Sequence, residues 1–382
     1  MEREDYDVAV VGAGILGLAH AYWLARRGLS VVVLERSRKA QGASVRNFGM
    51  IWPIGQPLGE MRKLALRSRE LWREVIEQTG LWSDEVGSLH LARREDEAQV
   101  LEEIASRLAD DPMQHELLSA EEVARRWPAV RRDGLLAGFF SEAEICIDPR
   151  EAMATLPSWL EAEYGVRFQF GSAVTGFDAG EVRVGDRRMG VRHLLVCSGI
   201  DLQTLYPEQL ATAGIRLCKL QMLRGRAEID GRLGVMLAGG LTLAHYASFR
   251  GCPTLPELEA RLRREFPVCA RYGIHVLASQ NGRGELLLGD SHEYGDDIEI
   301  FDKCEIDEAV LDYLGEMVQL PRLRITERWH GLYGKCSDSP WWIGSPKSDV
   351  TIVTGIGGAG MTLSFGLAER VVTERFGNVG VG

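Results

Sequence analysis

The chain has 382 residues, 45% of them hydrophobic, enough for a large core and more than one simple domain needs. Its formal net charge of −11 offers no basic field for nucleic acid or an anionic lipid surface. No apolar run approaches ~18 residues, and the opening Met-Glu-Arg-Glu-Asp-Tyr-Asp lacks the regions of a signal peptide, so a cytoplasmic protein without membrane insertion is expected. The seven cysteines are scattered without a C-x-x-C pair, which predicts reduced thiols and no metal site.

Tyr6–Val11 reads as a strand, Gly12-Ala-Gly-Ile-Leu-Gly17 as a turn, Leu18–Arg27 as a helix capped by Gly28, and Ser30–Leu34 as a second strand. Glu35 closes that strand, 21 residues beyond Gly14. In this G-x-G-x-x-G pattern Gly12 permits a tight turn, Gly14 lets a pyrophosphate approach the backbone, and Gly17 lets helix and strand pack. The helix start, with Ile15 and Leu16, favours phosphate charge, while Glu35, followed by Arg36, accepts hydrogen bonds from a ribose. The pattern predicts an adenine dinucleotide and leaves NAD and FAD open.

Residues 40–56, rich in Gly, Ser, Asn and Pro, read as a long functional loop. Helices are expected over Gly59–Gly80 and Glu95–Leu108, with Ser119-Ala-Glu-Glu122 as a capping box. Asp148-Pro-Arg150 opens a helix running to about Tyr164, followed by strands at Val166–Phe170, Ala173–Phe177 and His193–Cys197, the last ending in Cys197-Ser-Gly199. Strand-like pieces at Leu217–Ala227 and Glu285–Leu288, around a helix near Leu255–Arg264, suggest an inserted antiparallel sheet. After a helix at Asp307–Met317, Thr351–Gly360 repeats strand, glycine turn and helix, so the chain returns to its first domain.

The N-terminal motif, the loop Gly42-Ala-Ser-Val-Arg-Asn-Phe-Gly-Met-Ile51 and the turn Gly355-Ile-Gly-Gly-Ala-Gly360 together resemble the D-amino acid oxidase-like family of FAD-dependent oxidoreductases, over nearly the whole chain. The resemblance implies an α/β (α+β overall) fold with a Rossmann-like FAD-binding domain (1–80, 146–212 and 325–382) and an inserted antiparallel-sheet substrate domain (81–145 and 213–324). It implies that Ser44, Asn47 and Gly49 lie against the flavin, that Val174 touches the adenine, and that Ser198 and Gly199 border the cofactor. Gly357, Gly358, Gly360, Met361 and Thr362 would meet the flavin's pyrimidine end, where a helix N-terminus also stabilises charge on the reduced ring.

In that family a substrate C–H beside nitrogen gives up hydride to the flavin, and the resulting imine hydrolyses to an aldehyde or keto acid. No catalytic triad or metal is required. Amino acid oxidases of the family carry W-x-G-x-R, whose arginine clamps a carboxylate; here Trp329-His-Gly-Leu-Tyr333 puts Tyr333 in that place. A covalent flavin cysteine in the sarcosine-oxidase branch aligns with Gly331, so non-covalent FAD is expected. An oxygen-activating lysine aligns with Leu287, leaving oxygen or another acceptor open. Arg46, Lys219, His245, His330 and Tyr333 are the candidates for substrate contact. The segment Arg46–Pro57 is similar to a subgroup associated with phosphonate breakdown, which implies an aminophosphonate such as 2-aminoethylphosphonate or its N-methyl derivative. An amino acid, glycine or sarcosine oxidase, and a flavin-binding sensor without turnover, are the alternatives.

Overall fold

A computed structural model describes residues 5–377. The apolar run Asp5–Val11 forms strand β1, helix α1 spans Ile15–Arg26, and strand β2 spans Val31–Glu35. β1 pairs in parallel with β2 on one side and with the strand Arg187–Val196 on the other. These strands are buried from both sheet faces, which is why Val8–Val11 and Val31–Leu34 read as unbroken apolar runs. Arg167–Phe170 extends the sheet beyond β2, and Val350–Thr354 pairs in parallel with Arg187–Val196. The final helix, Gly360–Phe376, shares a core with α1 and with the helix Glu60–Thr79 through Leu18, Tyr22, Trp72 and Phe365.

A second, nine-stranded sheet is built from Ser88–Ala92, His115–Ser119 and Ala137–Ser141 together with strands from residues 215–336. It is antiparallel except where Met236–Ala238 runs parallel to Ser88–Ala92. The strand Arg324–Cys336, within the last stretch expected to bind FAD, pairs from Ile215↔Cys336 to Arg226↔Arg324 with the neighbouring strand and so joins this second sheet. Its alternation is obscured by Arg324, Thr326, Glu327 and Arg328, which point polar groups outward. Met50–Ile51, Ser83–Asp84 and Ile145–Ile147 form a small third sheet.

The helix expected after Asp148 is Pro149–Tyr164; the Asp148 carboxylate caps it by accepting from the Arg150 and Glu151 N–H groups. Ser119 and Glu122 form the expected capping box. The loop at 40–56 contains two short 3-10 turns, at Ala43–Val45 and Pro53–Gly55, as well as Met50–Ile51.

Candidate cofactor and substrate site

The three motif glycines meet as the spacing requires. Gly12 has φ +102°, and a Cβ there would stand 2.5 Å from the Cys197 carbonyl oxygen. A Cβ on Gly17 would lie 2.0 Å from the Gly12 carbonyl oxygen, so only glycine lets α1 approach β1 this closely. Gly14 caps α1 without a side chain of its own, so no cap side chain stands between the helix N-terminus and an incoming anion. Ser44 reaches in from the loop, its Oγ accepting from the Ile15 N–H at 2.9 Å. Glu35 accepts from the Ala13 and Ser37 N–H groups, which fixes its carboxylate beside the turn.

Neighbouring candidates cluster around this turn. The Ser172 N–H donates to the Glu35 carbonyl oxygen, holding the start of the Val174–Asp178 strand beside β2. Ser198 and Gly199 follow the strand that abuts Gly12, and Arg36 pairs with Asp201 in the same turn at 3.2 Å. Asn47 is an internal staple: its Nδ2 donates to the Ala43 and Ser44 carbonyl oxygens, and its Oδ1 accepts from the Gly49 N–H. Gly49, at φ +71°, would put a Cβ 2.0 Å from the Ile147 carbonyl oxygen.

The C-terminal glycine turn closes the other end. Gly357, Gly358 and Gly360 lead into the last helix, which begins without a side-chain cap. Met361 and Thr362 are buried behind it, with the Thr362 Oγ1 accepting from the Trp52 N–H at 2.9 Å. Tyr333 stands over Gly358, where a Cβ would be 3.6 Å from the phenol oxygen. An uncapped helix start, an exposed glycine turn and a phosphate turn backed by Ser44 suit FAD, since each leaves backbone donors and space that a Cβ would fill.

A family model described as FAD dependent oxidoreductase matches residues 7–374. The chain belongs to this FAD-dependent oxidoreductase family. FAD is accordingly the cofactor that the turns at Gly12–Gly17 and Gly355–Gly360 fit. Among curated relatives of this family, human mitochondrial sarcosine dehydrogenase is 28% identical over 200 residues, covering 52% of this chain and 21% of that protein. Monomeric sarcosine oxidase of Arthrobacter sp. (strain TE1826) is 29% identical over 131 residues, 34% of this chain and 33% of the relative. The matched stretches thus span about a fifth to a third of those relatives' lengths. Two solved structures share the fold. L-proline dehydrogenase from P. horikoshii has a TM-score of 0.79 at 20% identity over 98% of this chain and 95% of its own. Glycine oxidase from Geobacillus kaustophilus has 0.78 at 19% identity over 97% and 95%. No helix among the described residues is long and apolar enough to cross a membrane.

The candidates for substrate contact in this FAD-dependent oxidoreductase divide sharply. Lys219, only 1% exposed, pairs with Asp302 at 2.9 Å and donates to the Glu299 and Phe301 carbonyl oxygens. His330 also pairs with Asp302, at 2.9 Å. Both therefore fasten the segment 299–302 onto the sheet. Arg46 donates to the His330 carbonyl oxygen, tying the loop at 40–56 to the strand that carries Tyr333. His245 lies elsewhere, stacked on His275 with ring centroids 3.8 Å apart and 4.5 Å from His292.

His275 and His292 escaped the sequence reading. They stand 30 and 47 residues beyond His245, next to strand ends that only the folded sheet brings together. Asp290 accompanies them, 3.2 Å from the His275 Nε2 and 3.9 Å from the His292 Nε2. Burial holds His245 and His275 well below the ordinary imidazole range and His292 to about 4, so all three are neutral at pH 7. Burial likewise pushes the Asp290 carboxyl and the Tyr333 phenol well up. The cluster extends in two directions: His292 faces Tyr333, while Tyr246 packs between His275 and Trp52 of the loop at 40–56.

Proposed function

We propose that this chain oxidises a small primary or secondary amine to an imine, which water then converts to an aldehyde. The observation that carries the reading is the wall formed by Tyr333, His292, His245, His275 and Tyr246 between the glycine turn at Gly358 and Trp52 of the flavin loop. Such a wall is apolar at its ring faces, so it suits an uncharged amine, the form that gives up a C–H hydrogen beside nitrogen. FAD supplies the two-electron acceptor there, and the chain's own groups orient the amine and exclude water. Its likeness to enzymes named for sarcosine, glycine and iminodiacetate supports the same reaction class.

Within that class the finer reading is an aminophosphonate, first 2-aminoethylphosphonate or its N-methyl derivative. Support comes from the Arg46–Pro57 segment and from Tyr333 in place of a carboxylate-binding arginine. Lys219 and His330, candidates for the anion, are engaged with Asp302, so an anion must find other donors. Sarcosine or glycine is the second reading, favoured by the relatives' names. The site residues and the two-part division of the chain are part of this proposal, with Arg324–Cys336 joining the inserted sheet. So are non-covalent FAD, with Gly331 offering no thiol, and oxygen or another electron acceptor, a choice left open by Leu287 where a lysine would stand.

Anaerobic mixing of the yellow protein with candidate amines tests this. Bleaching of the flavin absorbance by an aminophosphonate, with slower bleaching by glycine and sarcosine, is the expected result. Bleaching by glycine or sarcosine alone overturns the finer reading, and no bleaching by any amine overturns both. Acid precipitation should release all the flavin into the supernatant.

A further inference from the structure

Among the described residues one cluster of ligating groups remains without an assigned task. The nitrogens of His245, His275 and His292 lie within 4.8 Å of one another. The rings come from three places: the end of the helix Gly240–His245, the residue two before the strand Leu277–Gln280, and the residue before the strand Glu293–Gly295. Reciprocal backbone hydrogen bonds between His275 and Asp290 lock two of these places together, at 2.9 and 3.1 Å.

We propose that His245, His275 and His292, with Asp290 beside them, form a site for a divalent late first-row metal ion, whose exchangeable position takes the anionic group of the substrate. The second clause rests on the amine-oxidation reading above; the first does not. Two observations carry it. The His292 Nδ1 lies 3.1 Å from the Gly273 carbonyl oxygen, so it holds the ring proton and leaves the Nε2 lone pair facing Asp290, the arrangement in which metal-binding imidazoles are held. The His275 Nδ1 is buried without a hydrogen-bond partner, an expensive state for a nitrogen that an ion would relieve, while the Nε2 of the same ring stands 3.2 Å from the Asp290 Oδ1.

The His245 and His275 rings are inclined by 26° and stack face to face. The χ2 torsion of histidine is broad, so both rings can re-aim their lone pairs when an ion binds. Three histidines with one carboxylate suit zinc, cobalt or iron(II), and three imidazoles alone leave a position that an outside oxygen anion can take. Net positive charge at that point would then do for the substrate anion what an arginine does in W-x-G-x-R enzymes.

The holoenzyme is stripped with a chelator, dialysed against micromolar zinc and analysed for metal and FAD. Wild type should retain about one equivalent of zinc, and His275→Ala and His292→Ala should lose at least tenfold in zinc affinity while keeping FAD. Wild type that retains none, or FAD-replete variants that retain all of it, overturns the site. Cobalt(II) loading needs no variant: visible d–d bands should appear in wild type, and their absence also overturns it. Methylphosphonate should shift those bands; unshifted bands overturn the anion-binding role alone. Failure of amine oxidation shows instead as unbleached flavin in a protein that still holds its metal.

Discussion

At the scale of single residues the phosphate turn is the least tolerant part of the molecule. A Cβ on Gly17 would sit 2.0 Å from a backbone oxygen that cannot move without displacing β1. Gly17→Ala should therefore cost about 3 kcal/mol or more and yield a colourless protein, read as the ratio of flavin to protein absorbance; an equally yellow variant would refute the assignment. Thr362 makes a quieter contribution. Thr362→Val strands the buried Trp52 N–H and should lower stability by about 1–3 kcal/mol in urea titration. The motif glycines and Glu35 were legible in the sequence because their spacing is local and each turn needs a specific residue type. The histidine trio was not, since nothing in the spacing of 245, 275 and 292 shows that three chain segments converge.

At the scale of elements, local signals again divide what can be read from what cannot. The helix Pro149–Tyr164 announces itself through Asp148-Pro-Arg150, and its cap also accepts from the Asn281 Nδ2 across the interface with the second sheet. Asp148→Ala should cost about 1–2 kcal/mol by removing the cap, more than a surface Asp; a loss under a few tenths would show that the cap is dispensable. The strand Arg324–Cys336 carried the quoted Trp329–Tyr333 motif yet was not foreseen as a strand. Its outer half is charged, and its register comes from the partner Ile215–Arg226 rather than from its own alternation. Lys219 and His330 stand among the candidates for substrate contact because sequence shows a side chain without showing its partner, here Asp302.

At the scale of the whole molecule the buried histidines set a pH dependence. Burial holds His20 to about 4 and His90 to about 3, whereas an unfolded histidine titrates near 6.5. The unfolded chain thus takes up protons that the folded chain refuses as pH falls from about 6.5 toward 4, so stability must decline across that window. The slope is about 1.4 kcal/mol per pH unit for each such group. Urea midpoints measured between pH 7.5 and 5 should fall steadily, and His90→Leu should flatten the slope; a pH-independent midpoint would contradict the buried, neutral assignment.

The last helix, Gly360–Phe376, packs against α1, and Val350–Thr354 completes the parallel sheet started by β1. At about 5–20 residues per second, a ribosome takes roughly 20–70 s to pass from Gly12 to Val350. Throughout that interval the nucleotide turn, already translated, lacks the strand and helix that brace it. FAD capture therefore waits on the last elements of the fold, and a message truncated anywhere before the codon for Val350 should give a product that cannot hold the cofactor.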